Sequence, residues 1–248
     1  MQKTSEPTLI NFLRQLLSSS RIGNRIKWIQ SYRQIPLGST VLIHIGKCGG
    51  STLRAGITHT QRYTNMYIVH AQKPVYRKDL NYIIVARGPI SRFISAWSWR
   101  YKLVVSDGSQ RDRFAGEYET LIKYRNLNQL AESLYEDNVP NKTSHKDVQN
   151  IHHLREGISY HLRDLLDSCQ PQQITAVLMQ ENLDADILRV FGYKNSFRIN
   201  QNPSRKKEQL SETGLANLRR FLEEDYRLLI KLYCWNKIAR EVFVKIIA

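Results

Sequence analysis

Residues 44–53, HIGKCGGSTL, decide the predicted fold of this 248-residue chain. The apolar run that leads into them, residues 40–45 (TVLIHI), predicts a short buried strand, and residues 51–52 (ST) favour the start of a helix. The N–H groups at a helix start attract anions, and the two glycines before it let the backbone approach one closely. The stretch therefore predicts a strand, a phosphate-binding loop and a helix.

The order of residues in this loop separates it from the loop of ATPases. A Walker A loop, G-x-x-x-x-G-K-[ST], has its lysine after the glycines, whereas Lys47 precedes them. The next apolar run, residues 81–86 (NYIIVA), leads into Arg87, where an ATPase or kinase would more often carry a metal-binding acid. These features favour a cation-rich phosphate site that works without a metal ion.

A second strand, turn and helix are predicted over residues 81–100, NYIIVARGPISRFISAWSWR. Pro89 suits the first position of a helix. Arg87 ends the strand, and Ser95 lies eight residues later, about two helical turns into the following segment. A guanidinium and a hydroxyl so placed can converge on a second phosphate, with Arg92 near by. The alternative is an arginine at a strand end and a serine that faces solvent.

Together these two stretches resemble the sulfotransferases that use 3′-phosphoadenosine 5′-phosphosulfate (PAPS), and among them the carbohydrate sulfotransferases, whose loop reads H-I-x-K-x-G-G-[ST]. Residues 87–97, RGPISRFISAW, are similar to the family run R-x-P-x-x-R-[FYL]-x-S-[AE]-[YW]. The resemblance implies a P-loop NTPase-like sulfotransferase fold, PAPS as donor, adenosine 3′,5′-bisphosphate (PAP) as product, and no required metal. It also implies two groups of cofactor-binding residues, Lys47, Cys48, Gly49, Gly50, Ser51 and Thr52 for the 5′-phosphosulfate and Arg87 with Ser95 for the 3′-phosphate.

Two later stretches are similar to the same family. Residues 180–193 (QENLDADILRVFGY) resemble its E-x-L segment, with a short helix and a glycine-aromatic pair. Residues 200–210 (NQNPSRKKEQL) look like its late basic loop. The resemblance implies that Arg205 and Lys206, with Lys207, help to close over the nucleotide.

The chemistry of sulfuryl transfer assigns roles to two further side chains. Negative charge develops on the departing phosphate, and Lys47 is predicted to stabilise it. A hydroxyl acceptor must lose its proton to a group whose pKa lies near neutrality. His70 is the predicted base, because glycan members of the family carry a functional histidine here, although Val69 stands where they have glycine and a core or capping role stays open. His44 is predicted to be buried beneath the loop.

The rest of the chain alternates between strand-like and helical patterns. Residues 66–69 and 174–179 predict strands, and residues 114–134, 146–166 and 215–233 have helical periodicity. Residues 104–113 and 136–144 are polar and are expected to be loops that line the acceptor site. Strands separated by helices predict an α/β fold with a central parallel β-sheet flanked by helices.

Composition is consistent with one sulfotransferase domain over residues 1–248, of which 1–38 are expected to form an N-terminal helical extension. The content of hydrophobic residues is 42%, and no Pro/Gly/Ser-rich linker divides the chain. Thirty-seven basic and 22 acidic residues give a net charge of +15, which indicates an anionic partner. PAPS and an acidic glycan acceptor both satisfy that requirement.

Location is predicted from the cysteines and the N-terminus. The three cysteines are widely spaced and odd in number, which favours a reducing compartment over a disulfide framework or a zinc site. Residues 9–17 (LINFLRQLL) are apolar but too short to span a bilayer, and no signal peptide is recognisable. A cytoplasmic enzyme is expected.

Two other classes of function stay open. Residues 48–54 (CGGSTLR) fit C-x5-R, the loop of cysteine-dependent phosphatases, in which a thiolate attacks phosphorus. A basic nucleic-acid-binding protein would also carry this charge, but the basic residues are spread along the chain and no zinc, RNP-like or recognition-helix pattern is present. The preferred hypothesis remains a sulfotransferase that does not bind nucleic acid.

Overall fold

The apolar runs form the strands of the computed structural model, which describes residues 21–60, 66–70, 72–197 and 209–247. In these ranges the strands are β1 Thr40–His44, β2 Met66–His70, β3 Asn81–Ala86, β4 Tyr135–Glu136, β5 Val139–Pro140 and β6 Ile174–Met179. The α-helices are α1 Arg21–Arg33, α2 Gly50–Thr60, α3 Pro89–Tyr101, α4 Glu117–Lys123, α5 Leu127–Ser133, α6 Lys142–Asn150, α7 Ile158–Ser168, α8 Leu183–Phe191, α9 Glu212–Phe221, α10 Glu223–Cys234 and α11 Arg240–Ile247. A π-helical segment, Lys102–Ser106, extends α3.

Four parallel strands form the central sheet, in the order β2-β1-β3-β6. The chain passes from β1 to β2 on one side and then to β3 on the other, so the winding reverses between β1 and β3. At such a point the carboxyl ends of two neighbouring strands open a crevice in which α/β proteins bind ligands. His44, at the end of β1, lies opposite His70 on β2 and Val85 on β3.

Helices flank this sheet because its strands are apolar on both faces. Val41 to His44 in β1 and Tyr82 to Ala86 in β3 are all buried, as expected for the interior of a parallel sheet. One apolar cluster joins the sheet to α2, α7, α8, α10 and α11. A second cluster packs α3 against α4, α5, α6 and α9, and the half-buried Tyr226 borders both clusters.

The predicted strands are confirmed, but three predicted helices are interrupted. Residues 114–134 form α4 and α5, because the Asn126 side chain accepts the Gln129 N–H and starts a new helix. Residues 146–166 are divided by a turn at 151–157, and residues 215–233 are divided at Leu222. The predicted loops also contain structure, since residues 104–113 begin inside the π-helical segment and residues 136–144 include a hairpin strand and the start of α6.

The structure covers only part of the predicted N-terminal helical extension, and it shows the state of the three cysteines. A helix is present over Arg21–Arg33, whereas residues 1–20 of the predicted extension lie outside the described residues. Among the described helices, none has both the length and the apolar character needed to cross a bilayer. Cys48, Cys169 and Cys234 are all free thiols.

Candidate functional site

The loop between β1 and α2 has two residues in the left-handed conformation. Lys47 has φ +71° and Gly49 has φ +87°. The Cys48 N–H donates to the Ile45 carbonyl at 3.3 Å, and the Thr52 N–H donates to the Gly49 carbonyl at 3.1 Å. The start of α2 carries the positive end of the helix dipole, so it can receive an anion.

The two glycines of this loop are also required by packing. A side chain at Gly50 would place its Cβ 2.0 Å from Cδ2 of His44, and one at Gly49 would meet Leu183 at 2.9 Å. Sequence reasoning assigned these glycines to phosphate approach alone. In the structure, the missing side chain of Gly50 makes room for the His44 ring, and that of Gly49 makes room for Leu183.

Lys47 is half-buried, and its ammonium group lies over an aromatic ring. Its Nζ is 4.1 Å from the centroid of the Trp99 ring on α3. An ammonium over the face of a tryptophan is attracted by the ring quadrupole. The contact with Trp99 therefore holds the Lys47 ammonium group, which is predicted to stabilise the departing phosphate, against α3.

Arg87 connects the end of β3 to the loop. Its Nη1 donates to the Lys47 carbonyl at 3.3 Å, and its Nε donates to Oγ of Ser91 at 3.0 Å. The hydroxyl that contacts Arg87 directly is thus that of Ser91, and the joint role of Arg87 and Ser95 at a phosphate stays a prediction. Ser95 is half-buried one helical turn further on, on the same side of α3.

Glu181 completes this network from the end of β6. Its Oε1 accepts the Gly88 N–H at 2.9 Å and the Ser91 hydroxyl at 3.1 Å. Its Oε2 is buried and, among the residues that the structure describes, has no hydrogen-bond partner. The glutamate of the E-x-L segment therefore fixes the turn that carries Arg87.

Arg92 has a structural role in place of the anion-binding role suggested by its position. It is 1% exposed, and its Nε donates to the Gly46 carbonyl at 3.1 Å. Its Nη2 donates to the carbonyl of His153 at 2.8 Å and also to the carbonyl of Glu156. Arg92 thus ties the loop to the turn at residues 151–157.

The predicted burial of His44 is confirmed, and His70 lies against it. The two rings stack with centroids 4.1 Å apart, and Nδ1 of His70 is 3.2 Å from the His44 carbonyl. Because a carbonyl only accepts, Nδ1 of His70 is the donor in this contact, so in the neutral ring the lone pair lies on Nε2. Burial, with the charges of His70 and Arg54, lowers the pKa of His44 to about 3.

Sequence reasoning missed the histidine pair at the turn before α7. His152 and His153 have ring centroids 4.3 Å apart, and His153 packs on the loop, with its Nδ1 3.1 Å from where a Cβ on Gly46 would lie. Burial lowers the pKa of His153 to about 2. The available signal was the H-H-x-x-E spacing that ends at Glu156, but nothing in the sequence placed it beside residue 46.

The Cys48 thiol is fully buried directly behind the loop. Burial raises its pKa to about 12, although the nearby Arg92 and Arg87 act in the opposite direction. A thiol in such a site stays protonated and is not exposed to a substrate. Of the remaining predicted cofactor residues, Ser51 and Thr52 begin α2 as expected, while Arg205 and Lys206 lie outside the described residues.

A separate groove of about 530 Å³ lies beside β6 and α11. Its lining mixes cations with the carboxylates of Asp186 and Glu241. Asp186 is already used, because it accepts the Met179 N–H at 2.9 Å and pairs with Arg189 at 2.9 Å. The groove therefore shows no charge preference that would relate it to the loop between β1 and α2.

Fold and site together define a class of protein, namely an α/β protein with a basic, glycine-containing loop at the carboxyl ends of the two central parallel strands. Comparisons with protein families, with curated proteins and with solved structures gave no match to this chain. The function is therefore argued from the site itself.

Proposed function

We propose that this protein is a PAPS-dependent sulfotransferase that transfers the sulfuryl group to a hydroxyl of a carbohydrate or glycoconjugate. The observation that carries the proposal is the hydrogen bond of 3.3 Å from Arg87 to the Lys47 carbonyl. It joins two cationic segments at the carboxyl ends of β1 and β3, where α/β sheets bind nucleotides. Two separate basic anchors suit a ligand with two phosphate groups.

Each anchor has an assigned phosphate. Lys47 and the first turn of α2, Gly50 to Thr52, hold the 5′-phosphosulfate, since they combine an ammonium with the positive end of the helix dipole. Arg87 and Ser95 hold the 3′-phosphate, with Ser91 fixing the guanidinium. Arg205 and Lys206 are proposed to contact the nucleotide from the segment that the structure does not describe.

The reaction is an in-line displacement at sulfur. The acceptor oxygen forms a bond to sulfur while the bond from sulfur to the bridging phosphate oxygen breaks, and the electron pair stays on the departing phosphate. Lys47 and the N–H groups of α2 stabilise that charge. His70 takes the acceptor proton on Nε2, because its Nδ1 proton is held by the His44 carbonyl. These residues supply the charge, so we expect transfer to continue in the presence of a chelator.

The phosphatase alternative is disfavoured by the site of its nucleophile. Cys48 is buried, and its pKa is raised to about 12, whereas phosphatase chemistry needs an accessible thiolate. The arginine of the C-x5-R pattern, Arg54, is exposed on α2. We therefore expect Cys48→Ser to retain sulfuryl transfer, and the same variant to abolish any true phosphatase activity.

Thermal unfolding with PAP tests the proposal directly. A ligand present at 100 times its Kd stabilises the folded state by about 2.7 kcal/mol, which corresponds to roughly 5–11 °C for a chain of this size. We expect that shift with PAP and not with AMP. Arg87→Ala should weaken PAP binding about 10- to 100-fold, because it removes a charge-assisted hydrogen bond to phosphate. Arg227→Ala, an exposed arginine of α10, is the matched control and should keep the full shift.

Failure has a clear form in this experiment. An absence of any shift at millimolar PAP, or equal shifts in the Arg87 and control variants, would exclude the proposed donor site. The base assignment is tested separately by transfer from PAPS to a panel of glycans, in which His70→Ala should lower kcat while leaving PAP binding unchanged. Full transfer by that variant would remove His70 from the mechanism without affecting the donor site.

A further inference from the structure

The turn at residues 151–157 brings three metal-binding side chains together beside the phosphate loop. Potential ligand atoms of His152, His153 and Glu156 all lie within 4.8 Å of one another. Nδ1 of His152 and Oε1 of Glu156 are 3.4 Å apart. A tetrahedral zinc ion with bonds of about 2.0–2.2 Å holds its ligand atoms roughly 3.4 Å apart. One pair is therefore already at zinc spacing, and the ligand atom of His153 lies within 4.8 Å of both.

Buried contacts hold the backbone that presents these side chains. The Arg92 guanidinium donates to the carbonyls of His153 and Glu156, while the Glu117 carboxylate accepts the His152 N–H at 2.8 Å. Both Arg92 and Glu117 are almost completely buried. The turn is thus anchored through its main chain, and the His152 ring stacks on Phe114 with ring centroids 4.4 Å apart.

His153 is also held in a conformation that costs free energy. Its φ is +68°, in the left-handed region that side chains with a Cβ rarely adopt. Backbone strain of this kind persists where surrounding contacts enforce it, and it often coincides with a functional site. Here it places the His153 ring between the His152 ring and Gly46.

We propose that His152, His153 and Glu156 form a binding site for a divalent transition-metal ion, zinc by its donor set, on the turn that packs against the phosphate loop. Two imidazoles and one carboxylate are a ligand set that zinc uses in proteins. The His152 and Glu156 side chains are 18% and 15% exposed, so an ion can reach them from solvent. The proposed sulfuryl transfer does not use this ion, and the two proposals are independent.

Arg155 competes with the metal for this position. Its Nη2 is 3.4 Å from Nδ1 of His152, and its Nε is 3.6 Å from Oε1 of Glu156, so the two ligand atoms already share one cation. Its side chain is 29% exposed, so it is partly open to solvent. Lys47 and Arg92 add positive charge near by. These positive charges oppose the binding of a cation, so the site binds the metal less tightly than an isolated cluster of the same ligands would.

Calorimetric titration of the full, tag-free chain with Zn²⁺ tests this site, with the visible absorption of Co²⁺ as a second readout. We expect one ion per chain and a tetrahedral Co²⁺ spectrum. His152→Ala, His153→Asn and Glu156→Gln should each weaken binding by at least about 10-fold, because each removes a ligand. Asparagine at 153 tolerates the left-handed backbone. Arg92 binds the backbone carbonyl of residue 156, which does not change in Glu156→Gln, so both variants should fold.

Arg155→Ala should change Zn²⁺ binding in the direction opposite to the ligand variants. Removing this competing cation should tighten Zn²⁺ binding roughly two- to five-fold, the size of a solvent-screened ion pair. Arg163→Ala, on α7, is the matched control and should have no effect. Weaker binding by the Arg155 variant, equal binding by the ligand variants, or no binding at 100 µM Zn²⁺ would overturn the proposal. PAP-induced stabilisation is measured without metal, so its outcome is separate.

Discussion

At the scale of single residues, the closest packing in the site is between Gly50 and His44. A Cβ on Gly50 would lie 2.0 Å from Cδ2 of His44, and the ring is buried under α2. We expect Gly50→Ala to lower the free energy of unfolding by about 1–3 kcal/mol, as overpacking of a core does. His44→Ala removes the ring, so the double variant should lose less stability than the sum of the two single variants.

Urea unfolding of the four proteins measures this coupling. Strict additivity would mean that Gly50 and His44 do not meet in the folded protein. Such a result would also weaken the packing explanation for the Gly49-Gly50 pair and return both residues to phosphate binding alone.

The pKa of His44 predicts how stability depends on pH. Its pKa is lowered from 6.5 to about 3 by burial and by the charges of His70 and Arg54, so the unfolded chain takes up a proton below pH 6.5 that the folded protein refuses. Stability is therefore complete above pH 6.5 and falls as the pH drops towards 3, by up to about 1.4 kcal/mol per pH unit.

A variant without the titrating ring checks this dependence. His44→Asn should flatten the fall in unfolding free energy within that window, as measured by urea unfolding at several pH values. The slope should not vanish, because burial also lowers the pKa of His161 to about 4. An unchanged slope in the variant would show that His44 is accessible to protons in the folded state.

At the scale of elements, one buried ion pair joins α3 to α4 and to the turn at 151–157. Arg100 donates to both carboxylate oxygens of Glu117, at 2.9 Å and 2.6 Å, and both side chains are almost fully buried. Glu117→Ala leaves a buried guanidinium without its partner, so we expect a loss of about 3–5 kcal/mol in unfolding free energy. Chemical denaturation measures it.

The exposed pair between Lys231 and Asp167 provides the control. Asp167 is 62% exposed, and Asp167→Ala should cost no more than about 1 kcal/mol. Hydrogen exchange should also show faster opening of residues 151–157 in the Glu117 variant, because the His152 N–H loses its acceptor. Similar losses in the two variants would mean that the Arg100–Glu117 pair does not support the turn.

At the scale of the whole molecule, the net charge of +15 acts on any anionic ligand. The affinity of a protein for duplex DNA falls as the salt concentration rises. In a plot of log K against the logarithm of the salt concentration, the magnitude of the slope is about 0.9 for each phosphate that the protein neutralises. PAP carries two phosphate groups, so we expect a slope of about two or less, together with the weaker PAP binding predicted for Arg87→Ala. A slope of six or more for duplex DNA, unchanged by Arg87→Ala, would favour the nucleic-acid alternative.

Much of the fold could be predicted because parallel strands need continuous apolar runs. The runs at 40–45, 81–86 and 174–179 became β1, β3 and β6, and Arg87 followed β3 as expected. The burial of His44 could be predicted for the same reason, since it ends an apolar strand. Helix ends were harder to predict, because caps such as Asn126 interrupt a periodicity that continues through them.

The partners of the site residues could not be read from the chain. Arg87 donates to Ser91, Arg92 donates to three carbonyls, and the Cys48 thiol is buried. Local periodicity and spacing determine strands, loops and their order, because those depend on neighbours a few residues away. Contacts such as that between residues 46 and 153 depend on how α3, α6 and α7 pack, and packing free energy is summed over the whole core. The sequence by itself therefore determines the strand, loop and helix at residues 40–60. The hydrogen-bond partners around the loop are decided only by the tertiary structure, because they come from distant segments that meet when the core packs.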